Sequence, residues 1–469
     1  MKKENSLGIR MWLFVILIGF AGQMAWSIEN MYLNTYIAYL NFSSPAGQGI
    51  ENYSTIIAIT TAASAIVATL TTILMGALTD KVGKRKYFIS IGYMLWGIST
   101  AAFGLFNVNS SRELLPIAMT STMAAIWVVI LDCVMTFFGS TSNDAAFSSY
   151  VTKNISNDNK GKVEGVLEIL PLVAMLLIFV ILNGFTVDSQ EGVHDAQWDI
   201  FFYLIGALVM FMGILSFFLI PKEKEDKGLE REKQSYLKTV TQGFLPSTIK
   251  QNKSLYLVFL IYFVYATANQ VFFPYLMIYL QRTCHIANTG SSFLTPFAIV
   301  MALALVLGSV ASVIFGFLSD KFGKNKMIFP VFLVFGIGIF LMFFITEIAQ
   351  DMARTIYAAI AGTIMITGYV GVPTIVNALV KEKIPAGKEG SFMGVRMIFV
   401  VALPMCIGPF IGDALNNNLG SGYVDDYGNP AVIPTRFGYL VGLGLLLLAI
   451  VPILFYFRMN QKEKQIATE

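Results

Sequence analysis

Ionisable side chains are rare in the long apolar stretches of this chain, so the few that occur there are the first candidates for chemistry. Glu29, Asp132, Glu168, Arg396 and Asp413 all fall within runs that otherwise read as hydrocarbon-embedded helix. A charge near a bilayer centre costs at least about 2.5 to 3.5 kcal/mol, so each needs a cavity, a partner or a proton. Asp132 stands midway along its run, with Trp127 and Thr136 on the same segment. In that place an aspartate can take a proton on one side of a membrane and release it on the other. Glu168 and Asp413 lie near segment ends, where water can reach them. Arg396 either holds a substrate carboxylate, neutralises Glu29 or Asp132 in the unloaded state, or forms a structural pair with Asp132.

Polar side chains that do not ionise outline a second kind of chemistry. At about 100° per residue, Gln23, Ser27, Asn30 and Asn34 share roughly 60° of arc, with Trp26 at the border and Glu29, Tyr32 and Tyr36 roughly 120° away. Two polar faces on one helix imply that one lines a cavity and the other meets a neighbouring helix; helix cementing by the amides is the simpler reading. Tyr262, Tyr265, Asn269, Gln270 and Tyr275 form another such set. Amides and phenols suit sugar hydroxyls, and aromatic faces suit the apolar faces of sugar rings. Only His194 and His285 are present, both in expected outer loops, so a histidine relay is not expected. No HExxH, nucleophile elbow or phosphate-cradling loop occurs, and Cys133, Cys284 and Cys406 suggest neither a disulfide framework nor a thiolate metal site. The chain therefore reads as no enzyme, with no cofactor and no metal.

The elements that must position these groups follow from composition. Of 469 residues, 56% are hydrophobic and 13% charged, about half the charged fraction usual in soluble domains. Mean hydropathy is +0.67. Soluble enzymes, nucleic-acid binders and secreted disulfide scaffolds are excluded, and a formal charge of +3 argues for no polyanionic partner. Twelve apolar spans are expected, over 11–40, 53–78, 87–108, 115–141, 166–184, 199–220, 254–281, 292–318, 327–346, 354–380, 392–414 and 436–457. The first begins after Lys2, Lys3 and Arg10, but it is too long and too polar for a cleaved signal and reads as a retained helix. In one alternating set of loops and tails lie 27 of the 32 lysines and arginines; the other set holds Arg112, Arg282, Arg354 and Arg436. That bias places both termini on the cytoplasmic side. The chain reads as an all-α polytopic membrane protein: an N-terminal bundle over 1–220, a charged linker over 221–253 and a C-terminal bundle over 254–469.

The two bundles carry a repeat. Gly76-Ala77-Leu78-Thr79-Asp80-Lys81-Val82-Gly83-Lys84-Arg85-Lys86 recurs 240 residues later as Gly316-Phe317-Leu318-Ser319-Asp320-Lys321-Phe322-Gly323-Lys324-Asn325-Lys326, with seven of eleven positions identical. This pair resembles the GxLxDrxGrrr signature of the major facilitator superfamily, and twelve spans with a charged central loop extend the resemblance over the whole chain. It implies two pseudo-symmetric six-helix bundles rocking about a midplane cavity. Gly76, Asp80, Gly83, Lys84 and Arg85 with Gly316, Asp320, Gly323 and Lys324 would then gate one side: the glycines allow close approach and tight turns, and the aspartates accept hydrogen bonds or pair with cations. Asn325 replaces a cation in the second copy, which would loosen that latch.

A narrower resemblance follows. The run Gly22 to Tyr36, with Leu131-Asp132 and Ser142-Asn143-Asp144-Ala145-Ala146, is similar to segments of sucrose-type and glycoside-pentoside-hexuronide-like sugar–proton symporters, which implies a coupling role for Asp132. A cation those carriers place in the fifth helix is absent, and Glu164 and Glu168 stand there instead. Residues 53–78 contain no Asp or Glu, so the second-helix sodium route of melibiose-type carriers is not expected. The resulting expectation is a monomeric proton-coupled symporter of a neutral sugar or glycoside, most simply an oligosaccharide, in a bacterial cytoplasmic membrane. Asp132 and Glu29 would carry protons, and Gln23, Trp26, Asn30, Asn34, Tyr262, Tyr265, Asn269, Gln270 and Arg396 would hold substrate. Alternatives on the same scaffold are a drug/proton antiporter and a lipid-moving relative; a non-transporting sensor would be expected to carry a signalling domain.

Overall fold

The computed structural model describes residues 8–42, 44, 49–50, 52–105, 120–155, 163, 166–167, 169–171, 173–178, 194–220, 243–286, 295–384, 389–424 and 430–468. Eleven helices within this set are long and apolar enough to cross a membrane. They are α1 Ile9–Phe42, α2 Tyr53–Val82, α3 Arg85–Leu105, α4 Ser121–Val151, α6 His194–Leu219, α7 Lys253–Thr283, α8 Pro296–Phe322, α9 Lys324–Phe343, α10 Asp351–Lys383, α11 Gly394–Leu419 and α12 Phe437–Gln461. Where the fifth span was expected, a shorter apolar helix, α5, covers Ile169–Ile178. Glu164 and Glu168 lie outside the described residues, as does most of the expected linker, whose far end forms a short helix, Pro246–Gln251. His194 opens α6 rather than sitting in a loop. An antiparallel hairpin, β1 Ser421–Val424 with β2 Pro430–Ile433, follows α11 and was not expected from an all-helical reading.

Local chemistry sets the helix ends. Thr120 and Thr295 cap α4 and α8 by accepting the amides of Met123 and Ala298 at 3.4 and 3.1 Å, with Pro296 at the first helical position of α8. The two copies of the repeat end their helices alike. Gly83 and Gly323 take φ of 71° and 93°, and their amides return to Thr79 O and Ser319 O at 2.9 Å. The hydroxyls of Thr79 and Ser319 in turn donate to Gly76 O at 2.9 Å and Gly316 O at 2.7 Å.

Outward side chains such as Leu303, Val306, Leu307, Val310, Ile314 and Phe317 on α8 leave an apolar belt for lipid. Inside, glycines allow helices to touch: a Cβ at Gly97 would lie 2.4 Å from Gly206 O on α6, and one at Gly338 would lie 2.3 Å from the Met365 backbone on α10. Aromatic nests fill the remaining core, with Tyr36 5.1 Å from Trp198 in the first bundle and Phe272 stacked 4.8 Å from Tyr439 in the second.

The bundles are joined at the end away from the lysine-rich turns. Tyr53 donates its phenol to Val432 O at 2.8 Å, and Thr55 its hydroxyl to Asp413 Oδ2 at 3.0 Å. The Tyr275 phenol lies 3.3 Å from Ser54 O, and the Arg282 guanidinium lies over the Phe42 ring at 4.5 Å. Asp413, expected to be a wet segment end, is thus buried in the seam.

Candidate functional site

Four helices carry an i→i+5 turn, and one of these turns shapes the site. In α1 it covers Ile28–Tyr32. Such a turn rotates each residue by less than the usual 100°, which narrows the angle between Glu29 and the Asn30–Asn34 edge. The expected division of α1 into a cavity face and a packing face is therefore corrected: Glu29, Asn30 and Asn34 all line one chamber. The other three turns are Ser140–Phe147 in α4, Tyr279–Thr283 in α7 and Ile398–Ala402 in α11.

This chamber, a cavity of about 20 Å³, lies between the bundles. Glu29, Asn30, Asn34, Thr60, Thr61, Ser64 and Asp132 face it from α1, α2 and α4; Gln270, Phe273, Pro274 and Met405 face it from α7 and α11. It has room for about one water molecule. Ser64 donates its hydroxyl to Glu29 Oε1 at 2.8 Å, and Asn30 donates its amide to Trp26 O at 2.8 Å. Asp132 is only 1% exposed and lies close enough to Glu29 for their charges to repel. Glu29 Oε2 and Asp132 Oδ1 are buried with no hydrogen-bond partner. Two carboxyls brought together among hydroxyls, each with an oxygen unsatisfied, form a site that can hold a proton between them.

The other expected site residues lie elsewhere. Trp26 packs on Trp96 at 5.1 Å, Gln23 O accepts the Ser27 hydroxyl at 2.8 Å, and neither Gln23 nor Trp26 lines the chamber. Tyr265 donates to Tyr369 O at 2.6 Å and packs against Phe335, which makes it part of the second bundle's interior. Asn269 is buried next to Gln270, its Oδ1 without a partner. Arg396 donates to Asn377 Oδ1 at 3.0 Å with Tyr262 beside it. The expected pairing of Arg396 with Asp132 or Glu29 is not formed; a second polar cluster in the C-terminal bundle holds it instead. Sequence reasoning passed over Thr60, Thr61 and Ser64, whose i, i+1, i+4 hydroxyl spacing marked a face of α2, and Asn377, for which no periodic signal existed.

At the repeat, Lys84 is exposed, while Arg85 is 4% exposed and donates its Nε to Ser149 Oγ at 2.8 Å. Lys324 Nζ approaches Glu382 Oε2 at 3.5 Å. Asn325, at the position corresponding to Arg85, accepts the Tyr456 phenol at 2.7 Å, so the substitution exchanges one anchor for another. A Cβ at Gly316 would meet nothing within 4 Å, so the close approach expected there is not made. The side chains of Asp80 and Asp320 lie outside the described residues.

Fold and chamber together define a multi-pass membrane transporter. The Major Facilitator Superfamily pattern matches residues 11–409, and the chain belongs to that family. A curated relative, the vacuolar membrane amino acid uptake transporter fnx2 of Schizosaccharomyces pombe, is 26% identical over 147 residues, which are 31% of this chain and 21% of that protein. The chain thus spans about a fifth of that relative's length. Among solved structures, a D-xylose-proton symporter is similar at a TM-score of 0.69 and 14% identity, over 95% of this chain and 97% of the other. The nucleoside transporter NupG is similar at a TM-score of 0.64 and 13% identity, over 95% and 98%. At such identities the likeness is one of fold.

Proposed function

We propose that this protein couples the entry of a neutral sugar or glycoside to the entry of protons by alternating access. The observation that carries the reading is the Glu29–Asp132 pair, buried at a polar chamber between the bundles. Sealing the chamber at the Tyr53–Thr55–Asp413 end leaves the lysine-rich end as the exit, which the charge bias assigns to the cytoplasm. Substrate and proton bind when the seam opens, the bundles rock, and both leave inward. The gating role of Gly76, Asp80, Gly83, Lys84 and Arg85, and of Gly316, Asp320, Gly323 and Lys324, belongs to this cycle. Repeated glycine turns at one end give the bundles matching hinges there.

Amides at Asn30, Asn34 and Gln270 with the hydroxyls of Thr60, Thr61 and Ser64 suit sugar hydroxyls, and the similar fold of a D-xylose-proton symporter supports this class. A closed chamber of about 20 Å³ admits no sugar, so binding requires the walls to part. A thermal-shift screen of the purified protein over mono- and disaccharides at two pH values tests the reading. A pH-dependent rise in melting temperature with one sugar class is expected; stabilisation by lipophilic cations alone would favour efflux of drugs.

A further inference from the structure

We propose that a line of side chains on α4, from Asp132 through Thr136 and Ser140 to Asp144, is the route by which protons leave the chamber toward the lysine-rich end. The proposal rests on the reading of Glu29 and Asp132 as a proton-holding pair. Residues four apart share a helix face, and twelve residues of α4 span about 18 Å, enough to lead from the chamber toward the turn where Ser149 meets Arg85.

Packing alone does not account for this line. Thr136 and Ser140 are fully buried, and their hydroxyl oxygens have no hydrogen-bond partner. Leaving a hydroxyl so costs about 1 to 3 kcal/mol, and a valine or alanine would fill the same space without that cost. Each hydroxyl nonetheless faces an acid: Thr136 the Glu29 carboxyl, and Ser140 the Asp144 carboxyl. Asp144 is held in place from three helices. Asn143 donates its Nδ2 to Asp144 Oδ1 at 3.0 Å, and the Tyr93 phenol on α3 donates to Asn143 Oδ1 at 2.9 Å, with Ile18 O on α1 3.0 Å away. Gly22 makes room for this node, since a Cβ there would lie 2.6 Å from the Tyr93 hydroxyl. The titratable groups facing Asp144 are Glu29 from α1 and Tyr93 from α3. One turn further on, Ser148 is exposed.

In the transfer, a carboxyl of the Glu29–Asp132 pair gives its proton to the Thr136 oxygen while the proton Thr136 already held passes on, through bridging water, to Ser140. Ser140 hands its own proton to the Asp144 carboxylate, which releases it to water at the open end. Each O–H bond broken is matched by one formed, no electrons change hands, and both hydroxyls finish as they began.

The test needs no sugar. In the detergent-purified protein, the carboxyl infrared band that disappears in Asp132→Asn is followed after a rapid pH jump. Asp144→Asn, and the double variant Thr136→Val with Ser140→Ala, are expected to slow its response at least about tenfold with the final amplitude unchanged. Asp144→Glu, and Thr136→Ser with Ser140→Thr, keep the exchangeable protons and should respond at the wild-type rate; they also control for folding. Unchanged rates in Asp144→Asn and in the double variant would overturn the route, as would an Asp144→Glu protein as slow as Asp144→Asn. A wild-type band that ignores the pH jump would sink the proton-holding pair and the route with it, whereas a sugar screen without hits would leave this result standing.

Discussion

On the chamber wall built by α1, α2 and α4, Glu29 Oε2 and Asp132 Oδ1 are buried without partners, as is Thr136 Oγ1 beside them. In the opposite bundle the Tyr265 phenol is committed to Tyr369 O and the Arg396 guanidinium to Asn377. One bundle thus keeps unsatisfied oxygens that can exchange protons, and the other keeps aromatic and amide groups already fixed in place. The comparison teaches that coupling and recognition are divided between halves descended from one repeat.

Substituting Asp132 by Asn should break that division most severely. Uphill accumulation of the transported solute in proteoliposomes is expected to fall at least roughly tenfold, while exchange across the membrane persists; accumulation equal to wild type would remove Asp132 from coupling. Arg396→Ala strikes the other bundle, and is expected to raise the half-saturating solute concentration by about tenfold at an unchanged proton-to-solute ratio, because only a positioned cation is lost. A changed ratio would mean that the two jobs are not separate.

Smaller effects sharpen the contrast between the repeated turns. Gly323, at φ 93° and ψ 134°, occupies backbone space that other residues enter at about 1 to 3 kcal/mol, whereas Gly83, at φ 71° and ψ 12°, sits where alanine costs about 1 kcal/mol. Gly323→Ala should therefore lower the melting temperature more than Gly83→Ala, and equal losses would contradict the geometry. Ser64→Ala removes the donor to Glu29 and should cost about 1 kcal/mol, read as a lower melting temperature. Thr55→Val deletes the bond to Asp413 and should shift the closed-to-open balance of the seam by about fivefold or less, measured by spin-label distances between the ends of α2 and α11.

Most of the architecture could be read from hydropathy, charge bias and the duplicated glycine–aspartate stretch, because a bilayer forces long apolar helices and few alternatives. The site was legible only in part. Glu29, Asn30, Asn34, Asp132 and Gln270 announce themselves as polar groups in hydrocarbon, and they do meet at the chamber. Gln23, Trp26, Tyr262, Tyr265, Asn269 and Arg396 carried the same signal yet lie outside it, since a polar atom in a membrane helix is satisfied as well by a neighbouring carbonyl as by a cavity. Angular reckoning along α1 failed for a different reason: it assumed a uniform helix, and nothing in the composition of Ile28–Tyr32 marks the wider turn.

That wider turn makes chain length a determinant of what the chamber is lined with. Deleting any one residue from Ile28–Tyr32 would swing everything beyond it by roughly a quarter of a circle. Asn34 would leave the chamber, and Tyr36 would leave its place against Trp198. A carrier built this way can acquire or lose a solute preference through a single codon gained or dropped, with no substitution at any lining position.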